Sequence, residues 1–310
     1  MKIKEILEYG KNNLIRKVAS PDVTNAAHLD EPRKLNLFTS EKSDDFSFVI
    51  KEDGYRISKM ILKHLLNATD SYILINNEDE INEDIEKEFK RNIELLNTGI
   101  PIQYITNKQE FMRLDFYVDS NVLIPQPDTE ILVEEVITLC KENTKILDLC
   151  TGSGAIGVSI AKNIENAQVT MSDISEKALE IANKNAKSNE VLDKCNFVLS
   201  DMFESIQEKY DFIVSNPPYI KSEVIKTLDK EVQNEPHIAL DGGKDGLYFY
   251  RIIAENAYKY LNEDGILALE IGYDQKEEVI SLLQKTGKYS NVYCKKDLSG
   301  NNRIIICRNN

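Results

Sequence analysis

The chain has 310 residues, 42% hydrophobic and 29% charged, with a formal net charge of −14, so its length allows about two domains and an ample buried core. That acidic balance argues against a protein whose main grip is on phosphate backbones, although a local basic groove could hide inside the total. Met1-Lys2-Ile3-Lys4-Glu5 lacks the apolar core of a signal peptide, and no apolar run approaches a membrane span of ~20 residues. The five cysteines include no C-x-x-C, and none of the three histidines lies near another His or a Cys. A soluble cytoplasmic protein without a metal site is expected.

Residues 3–16 carry Ile3, Ile6, Leu7 and Leu14 at helical spacing. From 19 to 55 the pattern dissolves into Pro21, Pro32, Ser43, Asp44, Asp45 and Gly54, which predicts an irregular insertion. Helical spacing returns over Ile57–Leu66 and again over 83–97, so residues 1–97 read as a small helical domain. Residues 98–127 read as a linker and β-hairpin. There Leu114, Phe116 and Val118 alternate before a turn at Asp119-Ser120-Asn121, and Val122–Ile124 forms the second strand. A helix begins near Thr129, with Asp128 as its N-cap. From 128 to 310 strands and helices alternate, which predicts a doubly wound α/β domain. The strand candidates are 145–149, 168–172, 195–199, 211–215, 265–271, 291–295 and 303–307, and the last two, joined by a short loop at Gly300, pair antiparallel. Helices are predicted over 155–163, 175–188, 247–261 and 273–285.

The first sheet strand runs into Cys150-Thr151-Gly152-Ser153-Gly154 and then a helix. Glycines allow a tight turn and close approach to a ligand, and the helix aims its N-terminal dipole at it. The next strand ends at Asp173, about 20 residues on, where a carboxylate can accept both hydroxyls of a ribose. A lone glycine loop is often only a tight strand–helix turn. In register with a terminal acid it points to a nucleoside ligand. The spacing also fits a nicotinamide dinucleotide enzyme.

Two further features argue otherwise. Val214-Ser215-Asn216-Pro217-Pro218-Tyr219 closes a core strand, and neither proline has an N–H to donate. The rigid corner can hold a planar –NH2 group, with Asn216 Oδ1 and the Pro217 carbonyl each accepting one N–H and Tyr219 stacking on the plane. Asn-Pro alone would be better read as a turn. After strand three, Ser200-Asp201-Met202-Phe203 could flank an adenine. One nucleoside and one held amino group suggest methyl transfer from S-adenosylmethionine, leaving S-adenosylhomocysteine.

Several segments together carry a family resemblance: Gly99-Ile-Pro-Ile-Gln-Tyr104, Leu123-Ile-Pro-Gln-Pro-Asp-Thr-Glu130, Asp148-Leu-Cys-Thr-Gly-Ser-Gly154, Asn216-Pro-Pro-Tyr-Ile220, Glu235-Pro-His-Ile-Ala-Leu-Asp-Gly-Gly243, Glu270-Ile-Gly272 and Lys296-Asp-Leu-Ser-Gly300. Over about 57–307 the chain resembles the peptide chain release factor glutamine methyltransferases of the HemK/PrmC type. The resemblance implies a seven-stranded Rossmann-like S-adenosylmethionine-dependent methyltransferase domain, preceded by a small helical substrate-binding domain and a linking β-hairpin. It implies methylation of the side-chain amide nitrogen of glutamine in the Gly-Gly-Gln motif of class I release factors, in translation termination. It also implies cofactor contacts from Cys150, Thr151, Gly152, Ser153, Gly154, Asp173, Met202 and Asn216. Asn216, Pro217, Pro218 and Tyr219 would hold the substrate glutamine, with Asn216, Pro217 and Tyr219 as the catalytic groups.

Cys150 departs from the family's usual glycine, so either its backbone does not need positive φ or the loop differs. Met202 stands where an aromatic is common, and Gln126 where Arg is usual. The nearest rival is an adenine-N6 type nucleic-acid amino methyltransferase, which faces the same geometric problem. Against it stand the net charge and the lack of an obvious basic reading domain. A nicotinamide oxidoreductase and a non-catalytic adaptor are weaker alternatives.

Overall fold

The computed structural model describes residues 1–15 and 43–310. They form two compact units, Met1–Asn107 with Asp229–Asn234, and Lys108–Leu228 with Glu235–Asn310.

The first unit is helical: α1 (Ile3–Asn13), α2 (Ser43–Leu66), α3 (Asp70–Ile75), α4 (Glu83–Thr98) and α5 (Ile102–Thr106). Ile3, Ile6 and Leu7 of α1 are buried with Ile57 and Ile61 of α2 and Phe89, Ile93 and Leu96 of α4, one stripe from each helix. Asn82 caps α4 by accepting from Ile85 N, and Gly99 (φ 101°) closes it in the left-handed conformation. Of the insertion expected at 19–55, residues 19–42 lie outside those described, whereas 43–55 are helical. Ser43, Asp44 and Asp45 suit a helix start as well as a turn. Gly54, read as a breaker, allows close packing: a Cβ there would stand 3.1 Å from Lys11 O.

The second unit opens with a hairpin, β1 (Gln109–Phe111) against β2 (Leu114–Phe116). Its turn is Met112-Arg113, with φ 51° and 61°, the two-residue geometry whose twist matches antiparallel strands. The expected turn at 119–121 is therefore displaced. Asp119 Oδ1 instead accepts from Asn121 N and Nδ2 in a local Asx-type turn, and Val122–Ile124 is no strand. Neither Met nor Arg announces positive φ, so the sequence carries no turn signal there.

A 3-10 turn over Pro127–Thr129 leads into α6 (Glu130–Leu139). Asp128 does not cap it; its Oδ2 pairs with Arg303 at 3.0 Å. There follow β3 (Lys145–Leu149), α7 (Ala155–Asn163), β4 (Gln168–Asp173), α8 (Glu176–Ser188), β5 (Cys195–Leu199) and β6 (Tyr210–Ser215). After β6 come α9 (Lys230–Gln233), which belongs to the first unit, and α10 (His237–Leu240). The chain ends with α11 (Tyr248–Tyr260), β7 (Leu261–Glu270), α12 (Lys276–Lys285), β8 (Tyr289–Lys296) and β9 (Asn302–Asn309).

β3 to β9 form one sheet in the order β5-β4-β3-β6-β7-β9-β8. β3 to β7 are parallel, β9 is antiparallel to β7, and β8 is antiparallel to β9. Alternate strand residues feed two cores. Ile146, Val169, Phe212 and Val214 join Val136 of α6, Val158 of α7 and Ala182 of α8. Leu147, Ile213, Leu267 and Leu269 join Ile253 of α11 and Leu283 of α12 on the other face. The chain leaves β3 for β4 and β5, then returns to β6 on its other side. That reversal opens a crevice at the carboxyl ends of β3 and β6.

Candidate active site

The loop after β3 is built around three positive φ angles: Cys150 (62°), Gly152 (55°) and Gly154 (80°). Cys150 therefore takes the left-handed conformation itself, at a cost of about 1–2 kcal/mol for a residue with a Cβ. Its Sγ lies 3.8 Å from Met202 Sδ, so the two departures from the family pattern touch. Thr151 N donates to Ser172 O at 3.0 Å, and Gly154 N to Thr151 O at 2.9 Å, which ties the loop to the end of β4. A Cβ on Gly157 would stand 2.8 Å from Met171 Cε and 2.9 Å from Asp148 Oδ2, so α7 packs on the sheet only with glycine there.

Asp148 lies under the loop, fully buried. Its Oδ2 accepts from Thr151 Oγ1 (2.5 Å) and Gly157 N (2.9 Å), while Oδ1 has no hydrogen-bond partner among the described residues. Burial pushes its pKa up to about 7, against those two hydrogen bonds. Asp173 ends β4 with Oδ2 accepting from Gly152 N and Oδ1 from Ser175 N, both at 2.9 Å. Burial raises its pKa, and the backbone N–H groups oppose that. A carboxylate has about four acceptor sites, so Asp173 retains capacity for a hydroxyl donor.

Two cavities meet at this loop. The larger, of about 210 Å³, is lined by Cys150, Gly152, Asp173, Ile174, Ser200, Asp201, Met202, Pro218, Ile238, Tyr248 and Phe249, among others. The smaller, of about 50 Å³, is lined by Phe111, Gln126, Thr129, Cys150, Thr151, Gly152, Ser153 and Asn216, among others. Leu123, Cys150 and Gly152 are walls of both. Asp173 held against the glycine backbone, in a cavity that also has apolar walls from Leu149, Ile174, Met202 and Phe249, fits a nucleoside carrying an amino-acid tail.

The predicted residues divide between these spaces. Cys150, Gly152, Asp173, Met202 and Pro218 face the larger; Cys150, Thr151, Gly152, Ser153 and Asn216 face the smaller. Gly154, Pro217 and Tyr219 line neither. Gly154 precedes α7, where a Cβ would stand 3.0 Å from that of Ala182. Tyr219 turns its hydroxyl inward, donating to Glu270 Oε1 at 3.3 Å. Phe203 leaves the site altogether, buried and stacked on Tyr260 with centroids 5.0 Å apart.

Several site-building residues had no role assigned to them from the sequence. Asn185 of α8 accepts from Tyr117 N (2.7 Å) and donates to Tyr117 O and Ser153 O, fastening the pre-sheet segment to the glycine loop. Gln275 donates to Tyr219 O at 2.9 Å and to Gly246 O at 3.1 Å. Gly242 and Gly246 press on the same corner: Cβ atoms there would stand 2.6 Å from Tyr219 Cα and 2.4 Å from Tyr219 O. Glu235 Oε2 accepts from Ile124 N at 2.9 Å. The Glu235–Leu247 stretch therefore braces the Asn-Pro-Pro-Tyr corner from behind.

The strand order and a two-part site at its switch point define a Rossmann-like methyltransferase. The methyltransferase small domain matches residues 126–297, and the PrmC N-terminal domain matches 52–106. The release factor glutamine methyltransferase of Clostridium acetobutylicum is 41% identical over 255 residues, 80% of this chain and 89% of that protein. That of Clostridium botulinum is 40% identical over 262 residues, 82% of this chain and 92% of that protein. The crystal structure of protein-(glutamine-N5) methyltransferase (release factor-specific) from Alicyclobacillus acidocaldarius is 30% identical, with a TM-score of 0.38, and the match covers 63% of this chain and 99% of that one. The chain belongs to the release factor glutamine methyltransferase family.

Proposed function

We propose that the protein methylates the side-chain amide nitrogen of the glutamine in the Gly-Gly-Gln motif of class I release factors. The observation that carries this is the small cavity, where Asn216 and the backbone of Cys150–Ser153 face one space. Cys150, Thr151, Gly152, Ser153 and Asp173 would hold S-adenosylmethionine, with Met202 beside its adenine. When bound, that cofactor supplies a methyl group on a sulfonium centre.

The chain's own residues solve the harder problem. An amide nitrogen is a poor nucleophile because its lone pair is delocalised into the carbonyl. Asn216 Oδ1 and the Pro217 carbonyl each accept one N–H of the glutamine amide and fix its plane. Tyr219 stacks on that plane, and Pro218 keeps the corner rigid. In-line placement of this kind supplies roughly 7–11 kcal/mol when the reacting atoms are held ~3–3.5 Å apart. As the nitrogen becomes positively polarised, both acceptors bind it more strongly than before. The proton leaves afterwards to water, and no side-chain base is required.

We assign substrate binding to the N-terminal domain expected over residues 1–97, where Tyr72, Leu74 and Ile75 of α3 expose apolar surface. A release factor substrate places the work in the cytoplasm. No helix among the described residues is long and apolar enough to cross a membrane. Labelled methyl transfer tests the function: label is expected on a purified class I release factor and not on duplex DNA. Asn216→Ala abolishes turnover while cofactor affinity stays within about a few-fold, because Asn216 acts on the transition state. Label on DNA alone, or full activity in the variant, contradicts the reading.

A further inference from the structure

Beside the Asn-Pro-Pro-Tyr corner lies a buried polar cluster, Thr129 and Glu270, to which the reaction above gives no role. Thr129, 4% exposed, accepts a hydrogen bond from Asn216 Nδ2 at 3.3 Å. Glu270, 2% exposed, ends β7, and its Oε1 accepts from Tyr219 Oη at 3.3 Å. The Thr129 hydroxyl neighbours the Glu270 carboxyl and draws its pKa down, while Oε2 has no hydrogen-bond partner among the described residues. Arg303 is buried close by, paired with Asp128 at 3.0 Å and Asp297 at 2.9 Å. That cation pairs with two carboxylates and acts on Glu270 only through its charge. A buried carboxyl with an unfilled oxygen is costly, which sets Glu270 apart from an ordinary core position.

An asparagine side chain presents a carbonyl and an –NH2 of nearly the same shape, and only its partners decide which points where. A clamp for a glutamine amide needs Oδ1 facing the substrate. Thr129 Oγ1 can receive Nδ2–H when its own proton points elsewhere, and the Glu270 carboxylate is the acceptor beside it. We propose that Thr129 and Glu270 are positioning residues: the Glu270 carboxylate draws the Thr129 and Tyr219 hydroxyl protons towards itself, which turns the Thr129 oxygen to Asn216 Nδ2 and sets Asn216 Oδ1 towards the substrate amide. This rests on the reading of Asn216 as the amide clamp. A glutamine at 270 reverses the chain, because its Nε2 donates to Thr129, whose proton then goes to Asn216 Oδ1 and turns –NH2 to the substrate.

The groups facing Glu270 also say what its ionisation costs. Burial pushes its pKa up to about 7; Thr129, Arg303 and Tyr219 oppose that rise, and Asp128 adds to it. The folded-state value lies above the ordinary one, so the stability this group contributes when protonated is lost as pH rises towards 7. A carboxyl that weakens the fold when ionised, yet must be ionised to orient Asn216, has opposite signatures in stability and in activity.

The test is kinetic, with intact protein and a class I release factor. Thr129→Val is expected to lower kcat by about 10²-fold, the scale of a small misplacement at a reacting centre, without changing cofactor affinity. Thr129→Ser keeps the hydroxyl and stays within about a few-fold, and Thr129→Ala is read as the valine variant is if that one fails to fold. Glu270→Gln lowers kcat, removes the acidic limb of its pH profile near pH 7 and raises the melting temperature above that pH. Wild-type kcat in Thr129→Val, or an unchanged acidic limb in Glu270→Gln, overturns the proposal. Exchange of the Asn216 side-chain amide protons, followed by NMR, reads the orientation without any substrate. Protection is expected in the wild type and Thr129→Ser, and loss of it in Thr129→Val and Glu270→Gln. If the wild type methylates no release factor, the substrate reading fails while this exchange pattern still decides the orientation; equal protection in all four proteins overturns it.

Discussion

Asp173 ends β4 and Asn216 follows β6, the two strands that flank β3, and the roles proposed for them separate binding from turnover. Asp173 accepts from Gly152 N and Ser175 N, and its remaining acceptor capacity is what the proposed ribose contact would use. Asp173→Ala is expected to weaken cofactor binding roughly 10- to 100-fold, since hydrogen bonds to a charged group are worth about 1.5–3 kcal/mol. Calorimetric titration checks it, and unchanged affinity rejects the ribose assignment. Asp148 makes a pH prediction. Its folded-state pKa of about 7 lies above the ordinary 3.8, so the unfolded chain releases this proton first. Stability from the group is full below about pH 4, falls as pH rises to about 7, and is flat beyond. Asp148→Asn removes that dependence. The melting temperature of the variant relative to wild type should climb across this window and level off, and a constant difference would contradict the assignment.

At the scale of elements, the Gly242–Leu247 loop decides whether the corner after β6 keeps its shape. Gly246 has φ 74°, and a Cβ there would stand 2.4 Å from Tyr219 O. Gly246→Ala is expected to cost about 1–3 kcal/mol of stability through overpacking and to impair turnover more than cofactor binding. Chemical denaturation and steady-state kinetics check the two halves. The strands of the sheet were legible because their apolar runs are bounded by turn residues, and the antiparallel pairing of β8 with β9 followed from the short loop between them. The hairpin turn at Met112-Arg113 was not, because side chains with no left-handed preference occupy it. Nor was the start of α2: Gly54 looks like a breaker until Lys11 is seen packed against it. In the site, Asp173, Asn216 and the glycine loop could be placed from spacing alone. Thr129, Asn185 and Gln275 could not, since each acts through a partner far away in the sequence.

Over the whole molecule, one family model matches 52–106, within the first unit, and the other matches 126–297, which lies in the second unit apart from Asp229–Asn234. Both cavities that join at the glycine loop lie in the second unit, whose own residues carry the chemistry proposed here. The net charge of −14 disfavours a phosphate backbone as the partner, and the amide clamp proposed at the Asn-Pro-Pro-Tyr corner favours a protein side chain. Mapping the acceptor atom tests that claim most directly. A class I release factor is incubated with the protein and S-adenosylmethionine, digested and sequenced by tandem mass spectrometry, beside a copy whose Gly-Gly-Gln glutamine is replaced by alanine. The account predicts a single methyl group on the side-chain nitrogen of that glutamine, and none on the replaced copy. A methyl group on any other residue, or equal labelling of both copies, would contradict it.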